Sequence, residues 1–87
     1  MQINNFMDSQ ITDLGELKSI GGNAYFEGSQ ITSLGNLQSI RGNADFWGAH
    51  ITDLGNLQSI GGNVYIAHSG LSEDDFASVE VGGKIYR

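Results

Sequence analysis

The chain has 87 residues, enough for one domain with a thin core. Ten acids against Lys18, Arg41, Lys84 and Arg87 give a net charge of −6, which disfavours direct binding to nucleic-acid phosphates or an anionic membrane surface. Without cysteine there is no disulfide framework, thiolate metal site or thiol nucleophile, and no apolar run approaches the ~18–20 residues of a membrane-spanning helix.

In chain order, Met1-Gln2-Ile3-Asn4-Asn5 lacks the basic start and apolar stretch of a signal peptide, so a cytoplasmic location is expected. Residues 1–10 read as a partial coil, because residues 3–10 align with 23–30 and Phe6 takes the place of Phe26. Ile3 to Met7 carries no charge or proline to blunt a strand edge. This edge is therefore a candidate surface for homodimerisation.

Three repeats follow, at 11–30, 31–50 and 51–70, with a period of 20 and no insertion. Ile11-Thr12-Asp13-Leu14-Gly15-Glu16-Leu17-Lys18-Ser19-Ile20 recurs at 31–40 and 51–60. Each copy runs on into Gly22-Asn23-Ala24, Gly42-Asn43-Ala44 or Gly62-Asn63-Val64, then Phe26, Phe46 or Ile66. The apolar spacing looks helical, but Gly15, Gly21 and Gly22 interrupt any helix at ~1 kcal/mol each. Ala24-Tyr25-Phe26-Glu27 alternates as a strand does. One repeat thus reads as one turn of a right-handed coil. It has a strand at 23–28, an extended Ile-Thr segment, a Leu-Gly corner and a short strand at 17–20. Coils stack at the inter-strand spacing of ~4.8 Å.

Residues 71–87 break the repeat and read as a C-terminal cap. Ser72 is a good N-cap, with acids in the following turn, and Leu71 and Phe76 take the positions of a hydrophobic staple. This predicts a short helix over 73–79 and a last strand at Val81 to Tyr86, which echoes Ile60 to Tyr65. Lys84 and Arg87 would discourage pairing along its free edge. The fold class expected for residues 1–87, as a single domain, is mainly β: a short right-handed β-solenoid of about four coils with a capping helix.

The pattern Leu14-x-x-Leu17-x-x-Ile20-x-Gly22-Asn23-x-x-Phe26 resembles leucine-rich repeats and, more closely, the coils of receptor L domains, over residues 11–70. Those families are mostly protein- or ligand-binding modules, so the resemblance implies binding. The sequence departs from them in Ala24, Ala44 or Val64 at the consensus leucine and in lacking flanking cysteines, so receptor or secreted status is not carried over.

Residues that are constant among the copies serve the coil, and those that differ are free of that demand. The variable positions form outward columns: Asn5, Tyr25, Asp45, Tyr65 and, by extension, Tyr86; then Met7, Glu27, Trp47 and Ala67. Turn positions Gln30, His50 and His68 lie beside them. Aromatics on an outward face suit a protein-binding hot spot. They would equally serve as cross-strand stacks that support the sheet. The partner-binding candidates are Tyr25, Glu27, Asp45, Trp47, Tyr65, His50 and His68, with Trp47 foremost.

Asn23, Asn43 and Asn63 read as a structural ladder at the coil corner. The glycine pairs lack the Lys-Ser/Thr tail and helix of a phosphate loop. His50, His68 and Asp45 have no metal-ligand spacing. Asp13 and Asp53 fall two coils apart, about 10 Å, with Ser33 between, which suits a solvated face better than a glycosidase pair. The chain is expected to be no enzyme and to use no cofactor or metal. The leading reading is a protein-protein interaction module. The alternative is a small acidic inhibitor, of the phage anti-CRISPR or anti-restriction type, blocking a partner's basic nucleic-acid groove. A third is a piece of a longer repeat array.

Overall fold

The computed structural model describes residues 13–87. The expected partial coil of residues 1–10, with Phe6 and the self-association edge Ile3 to Met7, lies outside them.

Glycine-centred turns and a Gly-Asn corner bend each repeat back on itself. The result is a mainly β solenoid of about three turns with a 20-residue period. The strands are β1 (Ser19–Ile20), β2 (Ala24–Tyr25), β3 (Ser39–Ile40), β4 (Ala44–Asp45), β5 (Ser59–Ile60), β6 (Val64–Tyr65), β7 (Glu80–Val81) and β8 (Ile85–Tyr86). They form two parallel sheets, β1-β3-β5-β7 and β2-β4-β6-β8, each contributed one strand per coil. Register steps by 20 residues through the first three rungs, as in Ile20↔Ile40↔Ile60, and by 21 at the last, Ile60↔Val81.

The expected strand at 23–28 is shorter. Only Ala24–Tyr25 has strand geometry, although ladder bonds run on through Phe26 N–H to Asp45 O (2.8 Å) and Gly28 N–H to Trp47 O (3.2 Å). The reason lies in the next turn. Ser29 N–H closes onto Phe26 O at 3.0 Å with Gly28 at φ +66°, bending the chain immediately after the paired residues.

The Leu-Gly corner is a turn with positive φ at its first central residue alone, the pattern of type II′. Leu37 N–H meets Leu34 O at 3.0 Å, and Gly35 has φ +55°. The residue two before the glycine holds it. Asp13 Oδ1, Ser33 Oγ and Asp53 Oδ1 accept the N–H of Gly15, Gly35 and Gly55 at 2.8, 3.0 and 2.7 Å. These are Asx- and Ser-type turns.

The other corner is an asparagine ladder, as expected. Asn43 N–H donates to Asn23 Oδ1 at 2.8 Å, Asn63 N–H to Asn43 Oδ1 at 2.7 Å, and Lys84 N–H to Asn63 Oδ1 at 2.9 Å. Gly42 and Gly62 are required here by close approach. A Cβ on either would run into the ladder oxygen and the backbone of the coil before it. Arg41 adopts no positive φ, so its backbone conformation is one open to a side chain.

The core is the stack of repeated apolar residues. Ile31, Leu34, Leu37, Ile40, Ala44 and Phe46 of one coil are all buried. Phe26 and Phe46 stack with ring centres 5.3 Å apart and planes 11° apart.

The capping helix expected over 73–79 is instead a single 3-10 turn, Glu73–Phe76, closed by Ala77 N–H to Asp74 O and followed by Val79 N–H to Phe76 O. The cap does form, with Ser72 N–H on Asp75 Oδ2 at 2.8 Å. Within the turn only Phe76 is buried, so no second apolar row rewards lengthening it. Phe76 drops onto the end of the phenylalanine stack, 6.2 Å from Phe46, and Leu71 is buried in the same core.

The last strand expected from Val81 to Tyr86 is split into β7 and β8, one in each sheet. Gly82-Gly83 make the same corner that Gly61-Gly62 make a coil earlier, and the Asn63 carbonyl holds Lys84 there. Among the described residues, no helix is long and apolar enough to cross a membrane.

Candidate binding face

Ala24, Ala44 and Val64 point into the core, so pleating turns the next residue of each strand outward. Register then aligns Tyr25, Asp45, Tyr65 and Tyr86 in one column on β2-β4-β6-β8. Glu27, Trp47 and Ala67 follow two residues on, on the same side. Asn5 and Met7, expected to begin these columns, lie outside the described residues.

The corner asparagines organise this face as well as the coil. Asn23, whose carbonyl holds the next coil, points its amide N–H at the Tyr25 hydroxyl (3.0 Å), and Asn63 does the same to Tyr65 (3.5 Å). Asp45 lies between the two tyrosines and accepts the Trp47 backbone N–H at 3.1 Å.

The aromatics divide between mutual support and exposure. Tyr65 and Tyr86 stack at 5.1 Å with planes 10° apart, the cross-strand role anticipated as the alternative to partner contact. Trp47 remains 50% exposed, Tyr86 45% and Tyr25 37%. Beside Trp47 stands His68, in a T-shaped ring contact at 5.2 Å. Among the described residues His68 is the sole non-glycine with positive φ, at 59°, where the earlier repeats place Gly28 and Gly48. A left-handed conformation costs an ordinary residue about 1–2 kcal/mol. The position was visible in the repeat alignment, where His68 falls in the glycine register.

A shallow cleft of about 380 Å³ joins Glu27, Asp45, Trp47 and Tyr65 to Ala67, Tyr86 and Arg87. Of the sequence candidates, those four line it. His68 lies outside it against Trp47, while Tyr25 and His50 do not line it. Sequence reading missed the parts played by Ala67 and Arg87. Ala67 could have been found as the small residue where neighbouring coils carry glutamate and tryptophan. Arg87 pairs with Glu73 at 3.1 Å on an exposed part of the surface.

A broader concavity, about 690 Å³, lies over the other sheet and is lined by Ser39, Ser59, Arg41 and the corner glycines, with no aromatic side chain. Its serines and glycines are residues that the coil itself repeats. Among the described residues, no group of three or more His, Cys, Asp or Glu is placed to hold a metal ion. Asp13, Ser33 and Asp53 hold turn amides, and Ser33 Oγ also reaches Asp53 Oδ2 at 3.4 Å.

These features define a β-solenoid with one variable, aromatic and acidic face. Comparison with protein-family models, with curated proteins and with solved structures finds no match.

Proposed function

We propose that this chain is a non-enzymatic protein-binding module of leucine-rich-repeat or L-domain type, which binds a protein partner through the face formed by Glu27, Asp45, Trp47, Tyr65 and Tyr86. The observation that carries this reading is Trp47, half exposed at the wall of a cleft, at a position the coil leaves free. Large, stiff amphipathic rings beside a cleft are the side chains that dominate interface energetics. A His68 held in a strained backbone conformation against the indole favours the same reading, since such strain is typical of binding and switch sites.

The acidic-inhibitor reading has less support. Asp13 and Asp53 are occupied at turns, Glu73 pairs with Arg87, and Glu27 and Asp45 belong to the aromatic cleft, so these five acids are divided among separate local roles.

A tagged pull-down from the lysate of the native host, comparing wild type with a folded Trp47→Ala/Tyr65→Ala variant, tests the proposal. A protein captured by wild type and lost by the variant is the expected result. Capture that survives both substitutions but collapses between low and moderate salt would replace it with the acidic inhibitor.

A further inference from the structure

We infer that the cleft beside Trp47 is a receptor for one cationic side chain, a lysine or arginine presented by a basic segment of the partner. This deepens the protein-binding reading and rests on it.

The first observation is the shape of the column. Where one coil places the Trp47 indole, the next places the methyl group of Ala67, and Tyr86 and Arg87 close the far side. The recess therefore occupies the one rung that the Ala67 methyl leaves unfilled, a rise of ~4.8 Å along the stack, with an apolar floor. A recess of one rung suits a single extended side-chain stem rather than a helix.

The second is the chemistry of its walls. The T-shaped contact with His68 covers at most one face of the indole, and Trp47 is half exposed. Tyr65 and Tyr86 stack parallel, each spending one ring face on the other. Aromatic faces attract a cation placed within ~6 Å of the ring centre, most strongly at tryptophan. Glu27 and Asp45 line the same cleft, one rung before Trp47 and Tyr65 respectively. A guest with an aliphatic stem and a positive head finds a counterpart for each part. A neutral apolar guest would bring no counter-charge to this acidic lining, and an anionic one would meet like charge. The net charge of −6 favours approach of a basic segment over the whole surface.

Arg87 lines the cleft too, and its charge opposes a cationic guest. Its ion pair with Glu73 is largely exposed and so holds it only weakly. Arg87 is thus a built-in competitor, and removing it strengthens binding.

Because Trp47 is the sole tryptophan of the chain, its fluorescence reads the cleft directly. The probes are the blocked peptide acetyl-Gly-Gly-Lys-Gly-Arg-Gly-Gly-amide, its neutral analogue with norleucine and citrulline, and an apolar peptide with leucine and phenylalanine at the same positions. The expected result is a saturable change with the cationic peptide and affinity at least about tenfold weaker for the neutral analogue. Asp45→Asn keeps an oxygen to accept the Trp47 N–H and should weaken the cationic peptide about threefold to tenfold, while Arg87→Ala should tighten it about twofold to threefold. Equal binding of the neutral analogue, or no response to the cationic peptide, overturns the inference. Its failure is separable from that of the broader proposal. A partner lost on Trp47→Ala/Tyr65→Ala but indifferent to Glu27→Gln and Asp45→Asn keeps the face and removes the cation site.

Discussion

At the corner of each coil the same residues return: Gly22-Asn23, Gly42-Asn43 and Gly62-Asn63. Two and four residues further on, the outward positions read Tyr25, Asp45, Tyr65 and then Glu27, Trp47, Ala67. Both stretches belong to one bend of one chain, yet they differ in what constrains them. At the corner, each asparagine carbonyl must meet the N–H of the next coil, and Gly42 and Gly62 must let that carbonyl pass. On the face, backbone ladder bonds are made whatever the side chain is, because pleating turns it away from the core. The comparison teaches that the positions which hold the coils together are separate from those the coil leaves free, where the proposed binding would sit. Variation among copies marks the second kind.

The largest effect should come from adding one methyl group at the corner. Gly62→Ala places a Cβ against the Asn43 carbonyl and the Gly42 backbone, and should cost about 3 kcal/mol or more by urea unfolding. Asn43→Ala leaves the Asn63 N–H without its acceptor and should cost about 2 kcal/mol. A loss under about 0.5 kcal/mol for either would break the comparison, since the corner would then be as free as the face.

Between the two regions stands His68. His68→Gly restores the residue that Gly28 and Gly48 provide and should stabilise by about 1 kcal/mol, raising Tm by roughly 4–8 °C. The reciprocal Gly48→Ala should destabilise by a similar amount of about 1 kcal/mol through φ alone, because the nearest atom its Cβ would meet is 4.0 Å away. If His68→Gly also weakens partner capture, the strained histidine belongs to the binding face.

The smallest effect on stability is expected at the face. Trp47→Ala should change unfolding free energy by no more than about 1 kcal/mol, the loss of its contact with His68, while abolishing partner capture. A large stability loss would mean that the indole supports the sheet, and the separation between corner and face would fail.

How far the fold was legible follows from the same division. The period, the stacked apolar positions and the asparagine ladder could be read because each residue's neighbour along the stack is its own counterpart 20 residues away, as in Ala24↔Ala44. Where the repeat ended, that guide was lost. The acidic turn after Ser72 has helix-start signals, but with Phe76 alone buried it stops after one 3-10 turn. Val81 to Tyr86 looks like one strand until the Gly82-Gly83 corner and the Asn63 carbonyl divide it between two sheets.

By itself, then, the sequence determined a parallel stack of 20-residue coils and which outward positions are free to vary, because both are properties of a period. Only the tertiary structure decided which variable residues share a cleft. It stacked Tyr65 on Tyr86, left Trp47 open beside the small Ala67, brought Arg87 in at the edge and kept His50 and Tyr25 out of the lining. It also revealed why Asp13 and Asp53 recur, as acceptors for turn glycines. The physical reason is that a period fixes the distance between counterparts in successive coils. Side-chain size, ring orientation and the final one-residue shift of register then set the gaps between columns, and these depend on neighbours from different repeats.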